Sequence, residues 1–336
     1  MARLVIAPDK FRGTATARQL IDAVTVAAGA AGWSATGVPM ADGGEGTLDA
    51  LGGPNRVATV TGPLGDTVEA EWRLDRRTAV IEMARASGLE LVGGAEGNDA
   101  LAASTYGTGE LIALALDSGA RRIVVGLGGS ATTDGGLGAL RALSPLPRLR
   151  GVELIGACDV RTSFVAAAQV FAPQKGASES EVELLRRRLE RLADIYLEEH
   201  HVDVRDIAGS GAAGGLGGAL AAIGGELVDG FELVADDLGL ADEVETADLV
   251  ITGEGLLDDE SFEGKVVGGV VGLAASLDVP CLVVVGAIDP DMDRSLLGGA
   301  TVVSLADRFG DAEARRDTSA RVAEVVADVL SSTIAP

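Results

Sequence analysis

The chain opens with two different periods of hydrophobic and polar positions. A short apolar run at 4–7 predicts a strand, and apolar positions spaced three to four apart over 15–31 predict a helix with Thr14 or Thr16 as its N-cap. A second strand at 35–39 leads into a glycine-rich turn and a short helix. This β-α-β-α order is typical of a parallel α/β sheet.

The pattern changes after residue 53. Three short apolar or β-branched runs follow, and the turns between them are too short for helices; the runs lie at 57–61, 68–74 and 79–83. They predict an antiparallel meander and a domain boundary near residue 55. A charged segment at 181–200 predicts a long helix, whose buried stripe is Leu185, Leu189 and Leu192.

The α/β alternation resumes near residue 240, with strands predicted at 249–252, 281–285 and 301–305. We therefore predict an α/β fold of two α/β domains. One, residues 1–55 plus 240–336, is a doubly wound parallel sheet of the flavodoxin or Rossmann kind. The other, residues 56–239, is an inserted mixed α/β domain that contains the meander. A chain of 336 residues is long enough for two such domains.

One glycine-rich stretch, 126–138, holds six glycines and follows a β-branched run at 123–125. An apolar tail from Leu137 predicts a helix after it. Glycine lets backbone N–H groups approach a ligand closely, and a helix N-terminus favours anions. The stretch therefore predicts a strand–loop–helix anion site.

Composition narrows the choice of ligand. The net charge is −24, which argues against nucleic acid or an anionic membrane as a partner. Any anionic ligand must then be held by locally placed cations and backbone N–H groups. Two cysteines imply no disulfide framework and favour a reducing cytoplasm, and no apolar run is long enough to predict a signal peptide or a membrane span.

The lysines are unusually few. Of 27 basic residues, 24 are Arg and three are Lys: Lys10, Lys175 and Lys265. Each lies in a turn marked by Gly or Pro. A chain that prefers Arg so strongly is expected to keep Lys where a compact point charge is needed.

Four carboxylates lie in glycine-rich or strand-end turns: Asp42, Asp134, Asp159 and Glu254. Carboxylates at the carboxyl ends of parallel strands point into the crevice where ligands bind, and with Lys they suit Mg²⁺ and phosphates. Ordinary capping of a turn is the alternative for each one singly.

Other catalytic motifs are absent or weak. No Gly-x4-Gly-Lys-Ser/Thr motif occurs, which excludes a P-loop enzyme. Two dinucleotide-like patterns begin at Gly126 and Gly209, but the first lacks an acidic residue about twenty positions on and the second lacks a good preceding strand. The only histidines, His200 and His201, end the charged helix and suit no metal site or catalytic triad.

The motifs together resemble one family, the bacterial glycerate kinases that form 2-phosphoglycerate. The matching segments run in order over nearly the whole chain: IAPDKFRG at 6–13, PMADGGEGT at 39–47, STYGTGELI at 104–112, GGSATTDGG at 128–136, ACDV at 157–160, VFAPQKGA at 170–177, GAAGGLG at 211–217, and DLVITGEG at 248–255 with Gly264-Lys265.

The resemblance implies ATP- and Mg²⁺-dependent phosphorylation of D-glycerate in a cleft between two α/β domains. Phosphoryl transfer needs charge neutralisation and alignment, so we assign roles on that basis. The predicted catalytic residues are Lys10, Asp134, Lys175 and Lys265. The predicted substrate-binding residues are Asp9, Arg12, Asp42, Gly43, Gly44 and Glu45. The predicted ATP-binding residues are Gly128, Gly129, Ser130, Gly253, Glu254 and Gly255. The predicted Mg²⁺ ligands are Asp42, Asp134 and Asp159.

The chain departs from the family pattern at several places, and its final forty residues match poorly. Arg12 and Leu256 stand where the family usually has Lys and Arg, and the loop at 161–164 is shorter and different. A kinase for another small hydroxy acid, phosphorylation at the 3-position, and a non-catalytic small-ligand-binding protein therefore stay open as alternatives. The expected partners are ATP and D-glycerate, with no nucleic acid or membrane, and a homo-oligomer is allowed.

Overall fold

The computed structural model describes residues 1–333, apart from the side chains of Pro147 and Thr333. Its strands are β1 (Arg3–Ile6), β2 (Ser34–Gly37), β3 (Arg56–Thr61), β4 (Thr67–Asp75), β5 (Thr78–Glu82), β6 (Arg122–Gly126), β7 (Glu153–Cys158), β8 (Glu226–Asp229), β9 (Leu249–Thr252), β10 (Leu256–Leu257), β11 (Cys281–Val285), β12 (Ala287–Ile288) and β13 (Thr301–Ser304).

The helices lie between these strands and after the last of them. They are α1 (Ala17–Ala30), α2 (Thr47–Ala50), α3 (Ala84–Ser87), α4 (Tyr106–Asp117), α5 (Leu137–Leu143), α6 (Ala167–Phe171), α7 (Glu179–His200), α8 (Ala212–Ala222), α9 (Gly230–Leu238), α10 (Leu240–Glu245), α11 (Val266–Ser276), α12 (Leu305–Phe309), α13 (Asp311–Arg316) and α14 (Thr318–Thr333). Between residues 1 and 333, none of them is long and apolar enough to cross a membrane.

The chain folds into two compact units. Unit 1 combines residues 1–42 with residues 231 onward, and unit 2 is the intervening segment 43–230. The boundaries predicted from sequence, near residues 55 and 240, therefore lie some ten residues later than the divisions between these units. The short helix α2, expected in the first domain, belongs to unit 2, where it lies against β5.

Unit 1 is built on a parallel sheet of five strands in the order β13-β11-β9-β1-β2. From β1 the chain adds β2 on one side and β9 on the other, so the direction of winding reverses between β1 and β9. This is the flavodoxin-like order, in which ligands bind beyond the carboxyl ends of the strands at the reversal. The helix α1 begins at Thr16, whose hydroxyl accepts from the Gln19 N–H in a capping box.

Unit 2 is built on a mixed sheet of six strands in the order β3-β4-β5-β6-β7-β8. The pairs β3–β4 and β4–β5 are antiparallel, and the remaining pairs are parallel. The predicted meander is therefore present at one edge. In α7 the stripe Leu185, Leu189 and Leu192 is buried, as the spacing predicted. The predicted fold class, two α/β units with one doubly wound parallel sheet, is confirmed.

Candidate active site

The residues predicted to form a site fall into two groups, one in each unit. Unit 1 holds Asp9, Lys10, Arg12, Asp42, Gly253, Glu254, Gly255 and Lys265. Unit 2 holds Gly43, Gly44, Glu45, Gly128, Gly129, Ser130, Asp134, Asp159 and Lys175. Most of them lie on loops that follow strands of their own unit, whereas Lys175 lies in the turn between α6 and α7.

In unit 1 most of the predicted residues lie on the loops that follow β1 and β9, the two strands at which the winding reverses. Asp42 follows β2, and Lys265 directly precedes α11. The backbone N–H of Asp9 donates to the Gly253 carbonyl at 3.0 Å, which ties the two loops together. Gly253 is required there by its surroundings, since a Cβ atom would lie 1.8 Å from the Val284 carbonyl oxygen. The sheet therefore places the first lysine turn and the Gly-Glu-Gly turn side by side.

Asp9 is at the centre of the charges in unit 1. Burial raises the pKa of its carboxyl to about 6; the nearby Lys10 and Lys265 lower it, and Asp42 raises it. One oxygen of Asp9 accepts from the Lys10 N–H at 2.7 Å. A carboxyl with a pKa close to neutral can take up and release a proton at physiological pH, which is what general base catalysis needs.

Glu254 is the second perturbed carboxyl of unit 1. Burial raises its pKa to about 7, a hydrogen bond from Ser261 and the charge of Lys265 lower it, and Asp9 raises it. Its Oε1 atom is buried and has no hydrogen-bond partner among the described residues. The orphaned acceptor indicates that this carboxyl is not satisfied by the protein alone.

Replacing Glu254 with Gln should stabilise the folded protein at neutral and higher pH. The unfolded carboxyl ionises near 4.5 and the folded one near 7, so ionisation above pH 4.5 costs the folded state stability, fully so above pH 7. Urea unfolding at pH 8 should give a gain of about 2–3 kcal/mol for Glu254→Gln, and the gain should shrink towards pH 5. A loss of stability at pH 8 would show that the carboxylate is well solvated or paired.

In unit 2 the carboxylate of Asp134 organises the glycine-rich loop. It accepts hydrogen bonds from the Thr105 N–H and hydroxyl, both at 2.9 Å to Oδ2. It also accepts from the N–H groups of Gly136 at 3.0 Å and Gly138 at 3.1 Å. With so many donors, this carboxylate acts in the structure as the anchor of the loop and of α4. Its predicted metal-binding and catalytic roles stay predictions.

Lys175 lies underneath the same loop rather than on its surface. Its side chain is 3% exposed, and Nζ donates to the Ser130 hydroxyl and the Thr132 carbonyl, both at 2.7 Å. Burial lowers the pKa of Lys175 to about 7, against the opposing influence of Asp134. The geometry favours a role in holding the loop, and the predicted catalytic role of this lysine stays a prediction.

The turn at 43–46 packs against the loop through bare backbone. A Cβ atom on Gly128 would lie 2.5 Å from the Gly44 Cα, so the two segments can approach only because the residue is glycine. Beside them, the backbone N–H groups of Gly128 and Gly129 donate to no other described residue. Unsatisfied N–H groups in a glycine loop are what a phosphate oxygen needs.

Sequence reasoning missed two residues that hold the turn at 43–46 and the loop at 126–138 in place. Glu82, at the end of β5, is 2% exposed and accepts from the Gly46 and Leu48 N–H groups at 2.8 and 2.9 Å. Asn98 donates to the carbonyls of Ala131 and Lys175. A carboxylate ending an apolar run was a visible signal for Glu82, whereas nothing in the local pattern marks Asn98.

Metal binding has limited support from the donor set. Among residues 1–333, no group of three or more His, Cys, Asp or Glu side chains could hold an ion. Mg²⁺ in phosphoryl-transfer sites needs only one or two carboxylates, because the phosphates supply the other oxygens. Asp42, whose charge raises the pKa of Asp9, fits that smaller requirement. Asp134 is occupied by donors, and the predicted metal-binding role of Asp159, after β7, stays a prediction.

Taken by itself, the geometry defines a class of protein: a doubly wound α/β enzyme with perturbed carboxyls and lysines at the reversal of its sheet. The glycerate kinase family model matches residues 4–146 and 144–334. The chain belongs to the glycerate kinase family, which confirms the predicted family and the predicted kinase class of enzyme.

Known relatives agree with this assignment. The chain is 40% identical over 330 residues to the glycerate 2-kinase of Escherichia coli K12, with 86% of each chain covered. It is 42% identical over 328 residues to a glycerate kinase of Halalkalibacterium halodurans, again with 86% of each covered. A putative glycerate kinase 2 from Salmonella typhimurium LT2, of known crystal structure, superposes with a TM-score of 0.81 at 34% identity, covering 99% and 98% of the two chains.

Proposed function

We propose that this protein transfers the γ-phosphoryl group of ATP to the 2-hydroxyl of D-glycerate, giving 2-phosphoglycerate and ADP. The observation that carries the proposal is the pairing of perturbed carboxyls with lysines at the β1–β9 reversal of unit 1. Family membership supplies the acceptor class, and the name of the E. coli relative supports the 2-position.

Asp9 is the proposed general base. It takes the proton from the glycerate hydroxyl as that oxygen bonds to the γ-phosphorus and the bond to the ADP oxygen breaks. Its pKa of about 6 leaves it ionised near neutral pH yet basic enough to accept a proton. The rate should therefore rise with pH up to about 6 and level off above it.

The charge that develops on the transferred group must be neutralised locally, because the whole protein is strongly acidic. Lys10 and Lys265 do this in the proposal, since both act electrostatically on Asp9 and Lys265 also acts on Glu254. Mg²⁺, when bound with the nucleotide, would supply further charge neutralisation, with Asp42 as the carboxylate that would hold it.

Unit 2 contributes backbone rather than titrating groups in this proposal. The N–H groups of Gly128 and Gly129 bind phosphate oxygens, with Ser130 fixed beside them by Lys175. Asp134 and Lys175 hold this loop in place. Gly43, Gly44 and Glu45 stay proposed as substrate-contacting residues, supported by the close packing of this turn on Gly126 and Gly128.

Replacing Lys265 with Met should lower kcat/KM about a hundredfold, equivalent to about 3 kcal/mol of transition-state stabilisation. Lys265 also forms an ion pair with Glu260, with Nζ 3.4 Å from Oε2. Glu260→Gln is therefore the matched control and should keep wild-type kinetics. Lys265→Arg should recover part of the rate if charge is what matters. Wild-type turnover in Lys265→Met would remove this lysine from the mechanism.

The acceptor is tested by measuring ADP release with a panel of hydroxy acids under identical conditions. D-Glycerate should give the highest kcat/KM. A clear preference for another hydroxy acid would assign the altered 161–164 loop to a different acceptor, and binding without ADP release for every acid would indicate a non-catalytic protein.

The cysteines also support the proposal of a cytoplasmic location. Both cysteines are free thiols in the structure, and burial raises the pKa of Cys158 to about 11. A buried thiol of that kind is inert and needs no oxidising compartment.

A further inference from the structure

Unit 1 contains a cavity to which the proposed reaction assigns no ligand, although two residues of its lining, Arg12 and Gly255, were predicted from sequence to bind substrate and ATP. Its volume is about 180 Å³, and it opens beyond the carboxyl ends of β1, β9 and β11. The walls come from the residues that follow those three strands, chiefly Phe11, Leu256 and Ala287, together with Ala314 from α13. The cavity therefore lies at the β1–β9 reversal, where a doubly wound sheet places its ligand.

The cavity is too small for a whole nucleotide and has the wrong polarity for glycerate. Pockets that enclose a drug-sized ligand measure roughly 300–1,000 Å³, so this one holds a single moiety. Its walls are mostly carbon, which offers the hydroxyls of glycerate few hydrogen-bond partners, and the charged side chains of the lining are exposed. A flat, weakly polar ring suits such a lining.

Two exposed arginines, Arg12 and Arg315, also line the cavity. Neither side chain forms an ion pair or hydrogen bond with another residue in the described part of the chain. In a protein of net charge −24, two arginines that form no ion pair, against the single carboxylate of Asp311 in the same lining, give this cavity a local positive charge that suits an anion. Guanidinium groups also stack on planar rings.

We infer that this cavity holds the adenine base of ATP, with Arg12 and Arg315 at its mouth contacting the phosphate nearest the ribose. The inference rests on the proposed function. It places the base next to Gly255, so that the phosphate chain runs from the cavity along the Gly-Glu-Gly turn towards Glu254 and Lys265. Asp311, also in the lining, offers an acceptor to a ribose hydroxyl or the amino group of the base.

The test uses the full-length protein and two probes, ADP and inorganic tripolyphosphate, titrated by calorimetry. Ala287→Leu fills the cavity and should weaken ADP binding at least tenfold, while tripolyphosphate, which has no base, should bind as in the wild type. The matched control Ala312→Leu adds the same side chain to an exposed position of α13 outside the cavity and should change neither.

A second pair of variants keeps the test valid if Ala287→Leu misfolds. Arg315→Gln alters an exposed side chain and should weaken ADP binding about threefold to tenfold. Its neighbour Arg316, which pairs with Asp317 at 3.2 Å and does not line the cavity, is the control, and Arg316→Gln should bind ADP normally.

The outcomes separate this inference from the proposed function. Unchanged ADP binding in Ala287→Leu and Arg315→Gln overturns the base site, even if the enzyme phosphorylates glycerate. A raised KM for D-glycerate with unchanged ADP affinity also overturns it, because the cavity would then be the acceptor site. ADP binding that depends on Ala287 in a protein that does not phosphorylate glycerate keeps the base site and refutes the proposed function.

Discussion

Asp9→Asn should lower kcat about a thousandfold with D-glycerate and ATP, without unfolding the protein. An amide cannot accept the hydroxyl proton, and general base catalysis is worth 10²–10⁴ in rate. Because Asp9 has a pKa of about 6, wild-type kcat/KM should fall about tenfold for each pH unit below 6. The variant's residual rate should lose that dependence.

The control for this experiment is Asp22→Asn, which makes the same chemical change at an exposed position of α1 and should leave the pH profile unaltered. A profile that survives in Asp9→Asn would assign the titration to another group. Glu254, with a pKa of about 7, would be examined next, through the profile of Glu254→Gln.

Asp134→Ala should lower the free energy of unfolding by about 3 kcal/mol. The substitution leaves the N–H groups of Thr105, Gly136 and Gly138 without their acceptor, and an unsatisfied buried donor costs about 1–3 kcal/mol. Chemical denaturation measures the loss. Activity should fall too, because the loop at 126–138 is no longer held.

Thr105→Val provides the companion variant. The hydroxyl of Thr105 donates to Asp134 and accepts from the Ala139 N–H at 3.0 Å. Removing this hydroxyl should therefore lower the free energy of unfolding by about 1–2 kcal/mol. The double variant should lose less stability than the two single variants lose together, because both substitutions break the same hydrogen-bond network. A stable Asp134→Ala protein that has lost only turnover would instead support the metal or catalytic role predicted from sequence.

The secondary structure was well predicted in segments where the apolar residues follow a single periodicity. The strand at 249–252 and the leucine stripe of α7 were located correctly because apolar runs and helical spacing are local signals. Short elements such as α13 have too few residues to show a period.

The residue types of the candidate site are visible in the sequence, whereas the surroundings of each residue are not, and the roles assigned to these residues stay predictions. Glycine turns, lysines and strand-end carboxylates are visible in sequence, but burial and partners depend on strand order, which a single chain does not show. Lys175 illustrates the difference. Its turn resembles those of Lys10 and Lys265, yet it is buried beneath Ser130 and Thr132. The cavity was unpredictable for the same reason, because its walls come from loops far apart in the chain.

The most direct test of the proposed reaction is NMR identification of the product formed from D-glycerate and ATP. We predict ADP together with 2-phosphoglycerate as the sole phosphorylated acid, and loss of both in Asp9→Asn. Formation of 3-phosphoglycerate, or no ADP above the rate without acceptor, would contradict the proposal.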